Sequence, residues 1–282
     1  MIDSTIILIA TMKFLRLFVE HKKILILIPS RYNSSRFEGK PLAPIKGKSL
    51  IQRVYEGCLK SKDCVASKYR LEIEVCVVTD DDRIENHVKE FAGNVVRVDD
   101  DVASGTLRIK KAFERYYLSQ GQDKKIYDVI INVQGDEPLI DAKDIITLSE
   151  FHILSDYSIS TIVKPESMSN RDIENPDKVK AIYSKDSGRC HFFTRAEVPF
   201  DRDSENQKEA NWFLHVGVYA YSPESLENYC QLKPAYYENI EKLEQLRAIE
   251  NNMTIGAIET HHEMISIDRP EDIQKLEGVL CE

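Results

Sequence analysis

Arg31, Arg36 and Lys40 stand five and four residues apart in a polar stretch, 29–48, that also carries Lys46 and Lys48 against a single acid, Glu38. The local charge is +4, in a 282-residue chain whose net charge is -9. Such a positive island in an acidic chain attracts anions. Ser30, Ser34, Ser35 and Gly39 are interspersed with the cations. A solvated basic loop would carry the same charge, but small residues also let the backbone approach a ligand, so that N–H groups join the cations in donating to phosphate oxygens. A Walker loop is excluded: Gly39-Lys40 runs into Pro41, and Gly47-Lys48-Ser49 has Leu42 where the first glycine should stand.

Acids follow at two other places. In Gln134-Gly135-Asp136-Glu137-Pro138-Leu139 a glycine and a proline bracket two carboxylates. Asp136 there is suited to hold a divalent metal beside phosphates. Asp268, 132 positions later, is either a helix cap or a second metal carboxylate. Ser104, Gly105 and Thr106 open a helical run that includes Arg108, and could offer backbone and hydroxyl donors to a base or ribose. In a predicted helix over 238–251, Glu241, Glu244 and Gln245 share one face by their i, i+3, i+4 spacing. The same spacing fits a merely solvated face.

The elements that must carry these groups alternate. Apolar runs at 24–28, 74–79, 94–98 and 127–133 read as strands, separated by amphipathic segments from Ser49, through Ile84, Val88 and Phe91, and through Ile109, Ala112, Phe113 and Tyr116. A helix is predicted over 142–154. This alternation predicts an α/β fold with a mostly parallel, Rossmann-like sheet, helices on both faces, and the cationic loop at the carboxyl end of the first strand, where such sheets bind ligands. Strands at 158–163, 179–184 and 212–221, the last containing His215, predict a β-rich insert over 157–222. Ile255–Ile258 and Ile265–Ile267 read as two further strands before a last helix that starts near Pro270. Residues 1–22 read as a disordered leader or as sequence upstream of a start at Met12.

Composition narrows the class. A sequence pI near 5.4 argues against general nucleic-acid binding. The apolar stretch at 6–10 is too short to span a membrane, and Asp3 precedes it where a secretory signal would carry positive charge. Six cysteines show no CxxC and no zinc spacing with histidine. Reduced thiols in a cytoplasmic protein are expected.

The stretch IPSRYNSSRFEGKPLAPIKGKSLIQRV resembles the opening signature of the sugar nucleotidyltransferases, and more closely that of the 3-deoxy-manno-octulosonate cytidylyltransferases, the CMP-Kdo synthetases. Further matches run in order through Val77–Asp82, Ser104–Arg108, Asn132–Leu139, Phe193–Asp203, His215–Tyr221, Glu238–Arg247 and Ile267–Asp272. The resemblance implies one nucleotidyltransferase domain over 23–282, with 157–222 serving sugar binding and dimer contacts. It implies transfer of CMP from CTP to an acidic octulosonate sugar for lipopolysaccharide synthesis, with release of pyrophosphate, dependence on Mg2+ and a cytoplasmic homodimer without stable membrane association. It places Ser30, Arg31, Ser34, Arg36, Lys40, Ser104, Gly105, Thr106, Arg108 and Gln134 at the nucleotide. Asp136 and Asp268 are placed on the metal, and Lys40, Arg31, Asp136 and Asp268 in catalysis. Arg195, His215, Tyr219, Glu241, Glu244 and Gln245 are placed at the sugar. One departure stands out: Leu107 occupies the position where the family has an acid before Arg108. Two alternatives remain open, a cytidylyltransferase for an 8-amino octulosonate or another acid sugar, and a nucleotide-binding protein of the same fold with weakened catalysis.

Overall fold

In the computed structural model, residues 20–33, 36–100, 102, 105–118, 127–202 and 211–280 are described. The leader up to residue 19, Ser34 and Ser104 lie outside them. The apolar run at 24–28 is the fully buried centre of β1 (His21–Ser30). Each of its isoleucines and leucines is stabilising by roughly 2 kcal/mol relative to exposure. A two-stranded ribbon, β2 (Pro44–Ile45) and β3 (Lys48–Ser49), leads into α1 (Leu50–Leu59). The Ser49 hydroxyl accepts from Gln52 N at the start of that helix. Then come β4 (Arg70–Thr79), α2 (Asp82–Glu90), β5 (Val95–Arg97), α3 (Gly105–Ala112) and β6 (Val129–Val133). The order β5-β4-β1-β6 is parallel throughout. This half matches the expected nucleotide-binding arrangement, with all four carboxyl ends along one edge.

The other half does not. After α4 (Ala142–Leu154) come β7 (Ile159–Ser167), β8 (Lys180–Ser184), β9 (Arg189–Thr194) and β10 (Asn211–Tyr221). Three helices follow, α5 (Pro223–Gln231), α6 (Tyr236–Glu241) and α7 (Gln245–Glu250), then β11 (Ile255–Glu259) and α8 (Pro270–Val279). The nine-stranded order is β5-β4-β1-β6-β10-β7-β11-β9-β8. β10 runs antiparallel to both β6 and β7, whereas β11 is parallel to β7. The sheet is therefore mixed, and the expectation of a mostly parallel one is corrected. The strands of 157–222 join the same sheet, β10 pairing with β6 over Val218–Tyr221 and Ile130–Val133.

Alternate residues of β1 feed two cores. Ile24, Ile26 and Ile28 pack with Leu50, Ile51 and Val54 of α1, Ile84 and Val88 of α2, Ile145 and Leu148 of α4, and Leu276 of α8. Leu25 and Leu27 face Ile109 of α3, Leu226 of α5 and Leu246 of α7. The period of two in the strand is what divides the layers.

His152 of α4 lies in the first interface, buried, with Nδ1 at 2.8 Å from Ser160 Oγ. Burial pushes its imidazole down to about 4. The folded state thus holds it neutral, so the stability it allows is full above pH ~6.5, is lost as pH falls toward 4, and falls no further below that. Compared with His152→Gln, the wild-type chain should lose about 2 kcal/mol between pH 6.5 and 5, at 1.36 kcal/mol per pH unit. Urea unfolding of both proteins at several pH values checks this. A difference independent of pH would contradict it.

Candidate functional site

The carboxyl ends of β1, β4 and β6 release three loops onto one edge. The cationic loop after β1 turns at Gly39, whose φ of 68° requires a residue without a Cβ penalty. An added Cβ would lie 3.1 Å from the Tyr32 ring. Tyr32 is in turn covered by the Arg83 guanidinium, 3.2 Å from the ring centroid. This packing fixes the start of the short helical turn at Lys40–Leu42 and aims Lys40 across the edge. Its Nζ donates to Asp136 Oδ2 at 2.7 Å and to Ile267 O at 2.8 Å. Arg36 Nη2 lies 2.8 Å from Asp268 Oδ1, and its Nη1 3.8 Å from Asp177. Arg31 donates to Val102 O.

Asp136 and Asp268 are thereby brought to one place, but not by two strands. Residues 265–268 form no ladder, which corrects the expected strand there. One backbone bond, Ile267 N to Asp136 O at 3.0 Å, makes the juxtaposition. The reason is positional: the neighbours of β6 are already β1 and β10, so the returning chain can only touch the turn beyond the strand's end.

The adjacent Glu137 was not singled out in the sequence, although its place in the same bracketed turn was the available signal. It is buried, accepts from Ser266 Oγ at 2.6 Å through Oε1, and has no hydrogen-bond partner at Oε2 among the described residues. Burial, and then the Asp136 charge, push its carboxyl up to about 7. Asp136 and Asp268 thus lie on adjoining segments, each carboxylate paired with a cation of the loop after β1, Lys40 and Arg36. An oxygen-only donor set of this kind fits a hard divalent ion such as Mg2+.

At the ends of β1 and β4, a cavity of about 420 Å³ is lined by Arg31, Tyr32, Asn33, Asp80, Asp81 and Asp99. Its size is within the range of ligand pockets. Arg108 comes to this side from α3, where it is 1% exposed, and donates to Asp80 Oδ2 and Val98 O, each at 2.7 Å. Asp80 is thus a carboxylate partner of Arg108 from another element. Gly105 opens α3 against Pro29 and Gln134: a Cβ there would come within 3.4 Å and 3.7 Å of them. Gln134 also packs on Gly217, in the irregular part of β10, and its N donates to Gly217 O. Thr106 Oγ1 reaches Glu244 Oε2 at 3.1 Å, which links the helix expected at the nucleotide to the side expected at the sugar. Ser30 is buried at the end of β1, and among the described residues its hydroxyl has no partner.

On the side expected to bind the sugar, the single helix predicted over 238–251 is two. Lys242, at φ 55° and ψ 46°, turns left-handed between α6 and α7. Glu241 therefore does not share a helical face with Glu244 and Gln245. Its oxygens accept from Thr194 Oγ1 at 2.6 Å and Arg195 N at 2.9 Å. Arg195 Nε and Nη1 donate to Glu241 O and Pro176 O. His215 stands between Phe193 and Tyr219, with ring centroids at 4.9 and 5.3 Å. Burial pushes His215 down to about 3, so it is a neutral donor or acceptor and not the cation that a carboxylate would need. Thr161 Oγ1 donates to Val218 O at 2.7 Å and so can accept from His215 Nε2, at 3.2 Å. Tyr219 is held protonated by burial.

The sequence model described as cytidylyltransferase matches residues 25–255. A 3-deoxy-manno-octulosonate cytidylyltransferase of Parabacteroides distasonis is 40% identical over 263 residues, 90% of this chain and 96% of the relative. An 8-amino-3,8-dideoxy-manno-octulosonate cytidylyltransferase of Shewanella sp. strain ANA-3 is 38% identical over 261 residues, 92% of this chain and 98% of the relative. Among solved structures, a CMP:2-keto-3-deoxy-manno-octonic acid synthetase complexed with CTP superposes with a TM-score of 0.77 at 33% identity, covering 92% of this chain and 98% of that one.

Proposed function

The chain belongs to the cytidylyltransferase family, and on that footing we propose that it transfers CMP from CTP to a 3-deoxy-octulosonic acid, giving the CMP-sugar, pyrophosphate and a proton. The observation that carries this reading is the convergence of Lys40, Asp136 and Asp268 at the sheet's ligand edge. In the reaction the anomeric hydroxyl attacks the α-phosphorus in line and the bond to the β-phosphate breaks. Arg31, Arg36 and Lys40 are assigned the triphosphate, which they approach from one loop. Gly105, Thr106, Arg108 and Gln134, with Ser30, Ser34 and Ser104, are assigned to position the nucleotide. Asp136 and Asp268 would hold Mg2+, which when bound neutralises charge on the transferring phosphate. Arg195, oriented by two carbonyls, is assigned the sugar carboxylate through charge-assisted hydrogen bonds. His215, Tyr219, Glu241, Glu244 and Gln245 are assigned the sugar hydroxyls.

An 8-amino octulosonate is the second substrate reading, favoured by one observation: relatives with either activity in their names match at nearly the same identity, 40% and 38%. Pyrophosphate release measured with all four nucleoside triphosphates against Kdo, 8-amino-Kdo and a neuraminic acid tests the proposal. Release with CTP and one octulosonate supports it, and preference for a neuraminic acid overturns the sugar assignment.

Asp80 already orients Arg108, so Leu107→Glu should leave the rate within about twofold and CTP affinity unchanged. A gain of tenfold or more would show that an acid at 107 is needed after all.

The assembly we assign is a homodimer in the cytoplasm. Ile182 on β8 opposes Phe192 on β9, Phe192 meets Tyr237 at 5.8 Å, and Tyr236, Tyr237 and Ile240 on α6 are 69%, 48% and 59% exposed. This continuous apolar strip suits a self-complementary contact. Among the described residues no helix is long and apolar enough to cross a membrane.

A further inference from the structure

We infer that Asp141, Asp144 and His262 form a second metal site, separate from the catalytic carboxylates, for a zinc-class divalent ion. Each residue offers one ligand atom, and the three atoms lie within 4.8 Å of one another. They come from two segments. Asp141 is the N-cap of α4 and Asp144 lies three residues further on, while His262 follows β11.

The arrangement is held from behind. The Thr260 hydroxyl donates to Asp144 Oδ2 at 2.6 Å and accepts from His262 N at 3.1 Å. Thr260 is itself 1% exposed, and its N donates to Val163 O. One buried residue therefore orients the Asp144 carboxylate, as outer partners do at metal sites, and fixes the backbone that carries His262. Asp141 Oδ1 takes a hydrogen bond from Lys143 N at 2.7 Å and keeps lone pairs for a metal.

A second observation is the state of Asp144. Its side chain is nine-tenths buried, yet Oδ1 meets His262 Nε2 only at 4.0 Å, too far for a hydrogen bond. His262 Nε2 lies 3.6 Å from Asp141 Oδ1. An ordinary His–Asp pair would close to about 2.8 Å. Ligands about 2.0–2.1 Å from a tetrahedral ion are about 3.3 Å apart, so the His262 nitrogen needs to close on the two carboxylates by only a few tenths of an ångström from 3.6 and 4.0 Å, with a fourth position left for water. A nitrogen with two carboxylates suits zinc and its neighbours, whereas Mg2+ and Ca2+ prefer oxygen alone.

The site's place gives it a consequence. Asp141 is five residues after Asp136, and His262 is six before Asp268. An ion here would pin together the two segments that bring the catalytic carboxylates into register.

The test uses the full chain, stripped of metal, in equilibrium dialysis against Zn2+, and in Co2+ titration followed by visible absorption. Wild type should bind one ion more tightly than His262→Gln by at least tenfold, and show a Co2+ band that the variant lacks. Zn2+ should raise the melting temperature of wild type but not of the variant. Asp144→Asn, which can still accept from Thr260, should also weaken binding. Equal uptake and equal Co2+ spectra in wild type and His262→Gln would overturn the site. At saturating Mg2+ and without zinc, His262→Gln should keep the wild-type rate of pyrophosphate release. Loss of that rate would place His262 in the catalytic centre and overturn a separate site.

Discussion

Asp136→Asn should lower kcat by at least about a hundredfold, while the protein stays folded. The change preserves shape and removes one negative charge. That charge meets the Lys40 ammonium at 2.7 Å, and it is one of the two carboxylates assigned to the metal. Removing a group aimed at the charge of a transition state typically costs two to three orders of magnitude. Lys40 would keep its bond to Ile267 O, and the Ile267 N to Asp136 O bond is between backbone atoms. The melting temperature should therefore move by no more than a few degrees. Steady-state kinetics across a Mg2+ titration checks both parts. Full activity with unchanged Mg2+ dependence would remove Asp136 from the metal.

The second large effect concerns stability. Glu238→Ala should destabilise the fold by about 3–5 kcal/mol, the usual cost of leaving one member of a buried ion pair alone. Both side chains of the Glu238–Arg247 pair are about 10% exposed. Arg247 Nε donates to Glu238 Oε2 at 2.9 Å and Nη2 to Oε1, while Ala235 N donates to Oε2 at 2.9 Å. Burial works to raise the Glu238 carboxyl, but the hydrogen bonds from Arg247 and Ala235 outweigh it and hold the group below its ordinary value. This pair locks α6 to α7 across the left-handed Lys242, so the residues assigned to the sugar should loosen with it. Denaturant unfolding of Glu238→Ala, Arg247→Ala and the double variant decides it: the double should cost much less than the two singles together. A loss under 1 kcal/mol in Glu238→Ala would contradict the structure's account of this junction.

How much of this was legible depended on whether the signal was local. The five apolar residues of β1, the acid at the end of β6 and the cations after β1 could be read because each belongs to a short contiguous pattern. The family resemblance rested on those same stretches, and the match over 25–255 bears it out. β9 was missed because Arg-Cys-His-Phe-Phe-Thr lacks clean alternation. The break at Lys242 was invisible because a lysine there continues the helical period, whereas a glycine would have marked the stop. The direction of β10 depends on which strand it pairs with, and no local pattern encodes that. Asp268 comes to the end of β6 by a different route from the one expected, since a single backbone bond stands where a strand was predicted. Asp80 as the partner of Arg108 could not be read, because it lies 28 positions away on another element.

The most direct measurement follows the phosphorus. CTP labelled at the α-phosphate is incubated with Kdo, Mg2+ and the protein, and the products are separated. The label should appear in a CMP-octulosonate ester, with one pyrophosphate released per ester formed, and UTP should not replace CTP. Label remaining in CTP, label appearing as free CMP with no sugar ester, or equal transfer from UTP would contradict cytidylyl transfer as the function of this chain.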